Sequence, residues 1–123
     1  EMTSSLVGSE MCIRDSLDCY VGIVGGLHGQ ADSIYPFAAQ IFELLQSISE
    51  EASFSLSESV SRSAVGLLGD LAQMFPDGRI KSAYAQDWIT QFIKKTRTNP
   101  AFQQNTKDTA RWAREQQKQQ LNL

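Results

Sequence analysis

Apolar residues recur three and four positions apart through most of this 123-residue chain, a spacing that predicts helices. The pattern is strongest around residues 60–75, where Val60, Ala64, Leu67, Leu68, Leu71, Met74 and Phe75 fall on one stripe. Pro76 forbids continuation and Asp77-Gly78 supplies a turn, so this helix is expected to stop there. A stripe this apolar cannot stay in water, and the segments on either side must cover it.

Upstream, Asp32 and Ser33 are expected to cap a helix with Pro36 in its first turn. Phe37, Ile41, Leu44, Leu45 and Ile48 then share one face up to about Glu50. A Ser-rich connection follows, in which Ser55-Leu56-Ser57-Glu58 has capping-box spacing, with Glu58 reaching back to a backbone N–H. The two helices should form an antiparallel hairpin. A shorter apolar run from Leu17 to Gly29 carries Gly22, Gly25 and Gly26. Its spacing is no dinucleotide fingerprint; we read it as a helix whose glycines allow close approach to a neighbour, ended by Gly29 with His28 in its last turn.

Downstream, Ile80, Tyr84, Trp88, Ile89, Phe92 and Ile93 predict one amphipathic helix from Arg79 to Thr98, closed by Lys94, Lys95 and Arg97. Asn99-Pro100 is expected to begin the last helical segment, re-capped at Asn105 or Thr106 and continuing to about Gln120. Ala110, Ala113, Gln117 and Leu121 make a thin stripe there. At roughly 100° per residue Trp112 projects away from it, so this aromatic either covers a neighbour or is offered to a partner.

The expected fold is therefore all-α: an α-solenoid built of antiparallel helix pairs in units of about forty to fifty residues, a length in the range for HEAT or armadillo repeats. Residues 17–29 would be the B helix of a truncated repeat, 32–78 a complete repeat, and 79–123 a terminal capping repeat with a polar outer face. Such a piece should expose apolar surface at its N-terminal end.

Composition narrows the function classes. No apolar run approaches the roughly 20 residues of a membrane span. Cys12 and Cys19 make neither a disulfide framework nor a metal site. One histidine, two cysteines and scattered carboxylates do not assemble a catalytic constellation, so no enzyme, metal or cofactor is expected. The net charge of −3 hides a division. Residues 17–78 carry eight acids against Arg62, whereas residues 79–123 carry nine bases against Asp87, Asp108 and Glu115. An acidic surface for basic partners is implied, beside a basic tail (Arg111, Arg114, Lys118) read as a solvated face.

Three segments carry a resemblance. Residues 62–81 (RSAVGLLGDLAQMFPDGRIK), residues 86–89 (QDWI) and residues 109–118 (TARWAREQQK) closely resemble the extreme C-terminus of the importin-β family, over about Leu17 to Leu123. That family is a long HEAT superhelix carrying cargo through nuclear pores, in the cytoplasm, the nucleus and the nuclear envelope. The resemblance implies a scaffold that holds the basic importin-β-binding helix of importin-α, or another basic cargo segment. Ran and nucleoporins would engage only repeats outside this chain; neither DNA nor membrane is an expected partner. Trp112 matches an inner-surface tryptophan of the family, and Glu58, Asp70 and Glu115 are candidate acidic contacts. A cation stacked on an indole contributes about 0.5–2 kcal/mol. The competing expectation is an unrelated HEAT-repeat interaction scaffold, against which the 109–118 motif argues. For Asp70 an inter-helix structural role competes with partner contact, and for Glu58 the capping box does.

Residues 1–16 have neither helical period nor a targeting pattern. Residues 6–16 (LVGSEMCIRDS) resemble the translation of a transposase-based sequencing adapter, so we expect 1–16 to be non-native and disordered. Genomic sequencing that found these codons in frame would reject that reading.

Overall fold

The computed structural model describes residues 16–27, 30–50 and 57–123. All regular structure among them is helical: α1 over residues 16–26, α2 at Ala31–Glu50, α3 at Glu58–Met74, the single turn α4 at Lys81–Tyr84, α5 at Asp87–Thr98 and α6 at Gln104–Leu121. The segment 1–15, His28 with Gly29, and Ser55 of the expected capping box lie outside the described residues, as does Cys12. Among the described residues, no helix is long and apolar enough to cross a membrane.

The strongest periodic signal becomes the centre of the molecule. Val60, Ala64, Leu67, Leu68, Leu71, Met74 and Phe75 are all buried, and α3 ends at Met74 as Pro76 requires. The turn closes with the Gly78 N–H donating to the Phe75 carbonyl at 3.3 Å and Gly78 at φ +84°, a left-handed conformation natural to glycine. Ile34, Ile41, Leu45 and Ile48 of α2 enter the same core, with Leu17 and Val24 of α1.

The hairpin is antiparallel, because the start of α2 meets the end of α3. The Tyr35 and Phe75 rings lie 5.8 Å apart, and the Arg79 guanidinium covers both, 5.1 Å from the Tyr35 centroid and 5.3 Å from that of Phe75. It also pairs with Asp32 and Asp77, each at 2.8 Å. The second pair, α5 and α6, is antiparallel too: Thr90 near the start of α5 bonds Gln117 near the end of α6.

Between the pairs, α3 and α6 make the most extensive helix contact, and they run parallel. Glu58 meets Gln103 and Thr106, Gly66 meets Thr109, Gly69 meets Trp112, and Ala72 and Phe75 meet Gln120. The order along one helix is the order along the other.

Several local expectations change. The helix foreseen over 79–98 breaks into α4 and α5 at Ala85-Gln86, where the buried carbonyl of Tyr84 accepts a hydrogen bond from Gln117 Nε2 at 2.9 Å. Asn99-Pro100 starts no helix; the Asn99 side chain turns the loop by accepting the Ala101 N–H at 2.9 Å, and α6 begins at Gln104. Helix α2 begins at Ala31, so Asp32 lies within its first turn rather than before it. Nor do the α1 glycines mediate close packing. A Cβ at Gly22, Gly25 or Gly26 would meet nothing within 4 Å among the described residues. Exposed Val21 and Ile23 on α1, with Tyr35 and Phe37 on α2, put apolar surface at this end.

Close approach occurs instead at Gly69, where a Cβ would stand 2.2 Å from Cζ3 of Trp112. Gly69→Ala should therefore destabilise the fold by about 1–3 kcal/mol through overpacking. At Gly66 the nearest atom is an ordinary 3.9 Å away, and Gly66→Ala should add about 0.5–1 kcal/mol from helix propensity. Urea denaturation of both variants checks the contrast, and equal effects would place the Trp112 ring elsewhere.

Candidate partner-binding surface

Trp112, Asp70, Glu115 and Glu58 all stand on the two parallel helices α3 and α6. Trp112 is half-buried, its ring edge laid over Gly69, one residue before Asp70. Glu115 follows Trp112 by three residues and stays exposed, 3.8 Å from Lys118. Asp70 is half-buried and engaged within the fold. These three gather toward the C-terminal halves of the pair. Glu58 does not join them: twelve residues before Asp70, it lies roughly 18 Å away along α3.

Glu58 has a different task from the one its spacing suggested. Ser57 is the N-cap of α3 and makes no side-chain cap bond. The Glu58 carboxylate accepts the Gln103 N–H and the Thr106 hydroxyl, both at 2.7 Å. The cap therefore goes to the first turn of α6, whose own N-cap Gln103 supplies none. The expected re-capping by Asn105 or Thr106 is replaced by this cap from a residue 45 positions away. The two hydrogen bonds hold the Glu58 carboxyl below the ordinary value of 4.5, the Thr106 bond contributing most.

The C-terminal ends are satisfied in the same cross-helix manner. Gln120 Nε2 donates to the carbonyls of Ala72 at 2.8 Å and Phe75 at 2.7 Å, in the last turn of α3, where the helix cannot supply donors. Beside it Gln73, Gln116 and Gln119 line an open groove of about 520 Å³ between the ends of α3 and α6. The Tyr84 hydroxyl, fully buried, donates to the Leu68 carbonyl. Burial, and then the nearby Asp70 charge, pushes this phenol well above its ordinary range.

Buried Gln116, Gln117 and Gln120 correct the view of α6 as a helix with only a thin apolar stripe. Together with Thr106, Ala110 and Ala113 they make a full helical face. Their spacing was present in the sequence, but glutamine carries no hydrophobic signal. Among the described residues, no group of three or more His, Cys, Asp and Glu could hold a metal ion.

This helix array has recognisable relatives. Residues 11–97 match the family of importin subunit beta-1-like proteins, described by its TPR repeats. The chain is 52% identical over 107 residues to importin subunit beta-1 of Saccharomyces cerevisiae, covering 87% of the chain. It is 42% identical over 106 residues to the Schizosaccharomyces pombe protein. The chain belongs to the importin subunit beta-1 family. The structure of yeast importin-β (Kap95p) superposes with a TM-score of 0.89 at 50% identity, over 90% of this chain and 13% of that one. Kap95 has also been solved with Nup1, and its binding to RanGDP has been described structurally.

This importin-β segment spans 12% of the length of the curated relatives. An all-helical array of repeats is thus established, and the unrelated HEAT scaffold is set aside. The helices as a whole match the repeat structure of importin-β.

The Glu58 cap fixes a pH dependence for the importin-β segment. Because its carboxyl is depressed in the folded chain, the stability it lends is fully present above the unfolded value and is lost as pH falls through the folded one. Glu58→Gln should lower the melting temperature at pH 7, and the gap to the parent should close progressively below about pH 4.5. Paired thermal melts from pH 3 to 7 measure this, and a pH-independent gap would refute the cap's charge.

Proposed function

We propose that this chain is a C-terminal piece of a nuclear transport receptor, a binding scaffold rather than a catalyst, whose α3–α6 face helps hold the basic importin-β-binding helix of importin-α. Its place would be the shuttling route between cytoplasm and nucleus through the pore, with no DNA or membrane partner. In this reading residues 17–29 end a truncated repeat, 32–78 form a complete one and 79–123 the terminal one. Ran and nucleoporins would be engaged by repeats beyond this segment.

The observation that supports it most is the placement of Trp112. Its indole is fixed against Gly69 beside Asp70, with Glu115 three residues further on and exposed. A basic helix laid along this pair would meet an aromatic face between two carboxylates, an arrangement suited to arginine and lysine. Glu58 would contribute as a fixed negative charge, since its hydrogen bonds to Gln103 and Thr106 keep it ionised. With only part of the receptor present, the contact should be weak, because contacts spread over many repeats act together.

Titration of the chain with the importin-α basic helix, followed by tryptophan fluorescence, tests this. Binding should weaken as salt rises. Trp112→Ala should weaken it roughly 2- to 30-fold, the range of one cation–π contact, and Glu115→Gln, on the exposed surface, should weaken it several-fold without unfolding. A folded chain that ignores the peptide at low salt would reject the reading.

A further inference from the structure

The basic tail Arg111, Arg114 and Lys118 was expected to be a solvated face, yet these cations do not behave alike. Arg111 pairs with Asp108 at 3.2 Å and Lys118 with Glu115 at 3.8 Å, so both are locally compensated. Arg114 turns instead toward the interior. Its Nη1 donates to Oε1 of Gln117 at 2.8 Å, and Gln117 is fully buried. The same glutamine donates through Nε2 to the Thr90 hydroxyl at 3.0 Å and to the Tyr84 carbonyl. One buried amide therefore fixes both a guanidinium and a hydroxyl. Thr90 Oγ1 accepts that bond, which leaves its own O–H to donate.

Arg114 and Thr90 line a cavity of about 190 Å³ between α5 and α6, with Ile93 as its apolar wall and Lys94 and Arg97 completing it. Three of the five lining residues are cations, and none is an acid. Among the described residues, none of these three cations is in an ion pair. Arg114 lies about 200° around α6 from Trp112, so the cavity opens away from the α3–α6 face. We infer that the α5–α6 cavity is an oxyanion site, which receives a carboxylate or phosphate group from an acidic polypeptide segment.

The chemistry favours a polypeptide over nucleic acid. No aromatic lines the cavity to stack a base, and its three cationic residues line one cavity of about 190 Å³, room for a single anionic group and not for a run of phosphodiesters. The volume suits one anionic side chain and is below the few hundred Å³ typical of ligand pockets. This inference is independent of the basic-helix reading: the surfaces are different and the required partner charge is opposite.

The test is fluorescence anisotropy of a labelled hexaglutamate peptide against the full chain at low and moderate salt. Parallel arms use a hexaglutamine peptide, a phosphoserine-containing acidic peptide, single-stranded RNA, and vesicles containing phosphatidylserine. Hexaglutamate should bind, and hexaglutamine should bind at least tenfold more weakly. Arg114→Gln should cost about tenfold or more, as expected for loss of a charged hydrogen bond. Lys94→Gln with Arg97→Gln, both on the exposed surface, should cost several-fold while the circular dichroism is unchanged. Tighter binding of the phosphoserine peptide would assign the site to phosphate, and equal or weaker binding to carboxylate. Equal binding of the glutamate and glutamine peptides would overturn the site. So would unchanged affinity in both folded variants, or a preference for RNA or vesicles over the acidic peptides.

Discussion

The parallel contact of α3 with α6 sets the terms for everything else in this structure. Parallel neighbours bring like ends of two helix dipoles together, two partially positive N-termini at one end and two partially negative C-termini at the other. Each end also carries backbone groups that its own helix cannot pair. One carboxylate, that of Glu58, stands in the first turn of α3 while accepting from the first turn of α6, so a single negative charge serves both N-termini. At the far end the Gln120 amide, in the last turn of α6, donates to two carbonyls at the end of α3. Between these polar clasps the helices close to contact, which Gly69 permits by leaving room for the Trp112 ring.

The same economy recurs at the second pair. Gln117 closes the break between α4 and α5 by donating to Tyr84, steadies Thr90, and holds Arg114. Buried glutamines thus do in this array what apolar side chains do in an ordinary core, with the addition that they satisfy backbone and orient charges. A half-satisfied polar core would be costly. Here only the Gln120 Oε1 atom is buried without a partner among the described residues.

Charge is segregated along the chain, and the fold turns that segregation into two surfaces. The acidic residues Asp70 and Glu115 accompany Trp112 near the α3–α6 seam, while the cations Lys94, Arg97 and Arg114 line the α5–α6 cavity. Arg79 joins the two halves, bridging Asp32 and Asp77 over the Tyr35 and Phe75 rings.

The sequence by itself determined the helical class, the stripe that becomes α3, the stop at Pro76 to Gly78 and the antiparallel pairing. Each of these depends on local spacing, a fixed φ or a short connection, all of which lie within a few residues. The importin-β likeness was also legible, because residues 109–118 are distinctive as a string. Only the tertiary structure decided what Glu58, Gln117, Gln120 and Gly69 do. Their partners across the fold stand 27 to 48 residues away, so Glu58 looked like a cap for its own helix, Gln117 like one position on a thin stripe, and Gln120 carried no signal of burial. The break at Ala85-Gln86 was hidden for the same reason: the donor that satisfies Tyr84 comes from α6. Spacing reveals which face of a helix is apolar, but a polar side chain takes its role from whatever unpaired group packing brings within about 3 Å of it.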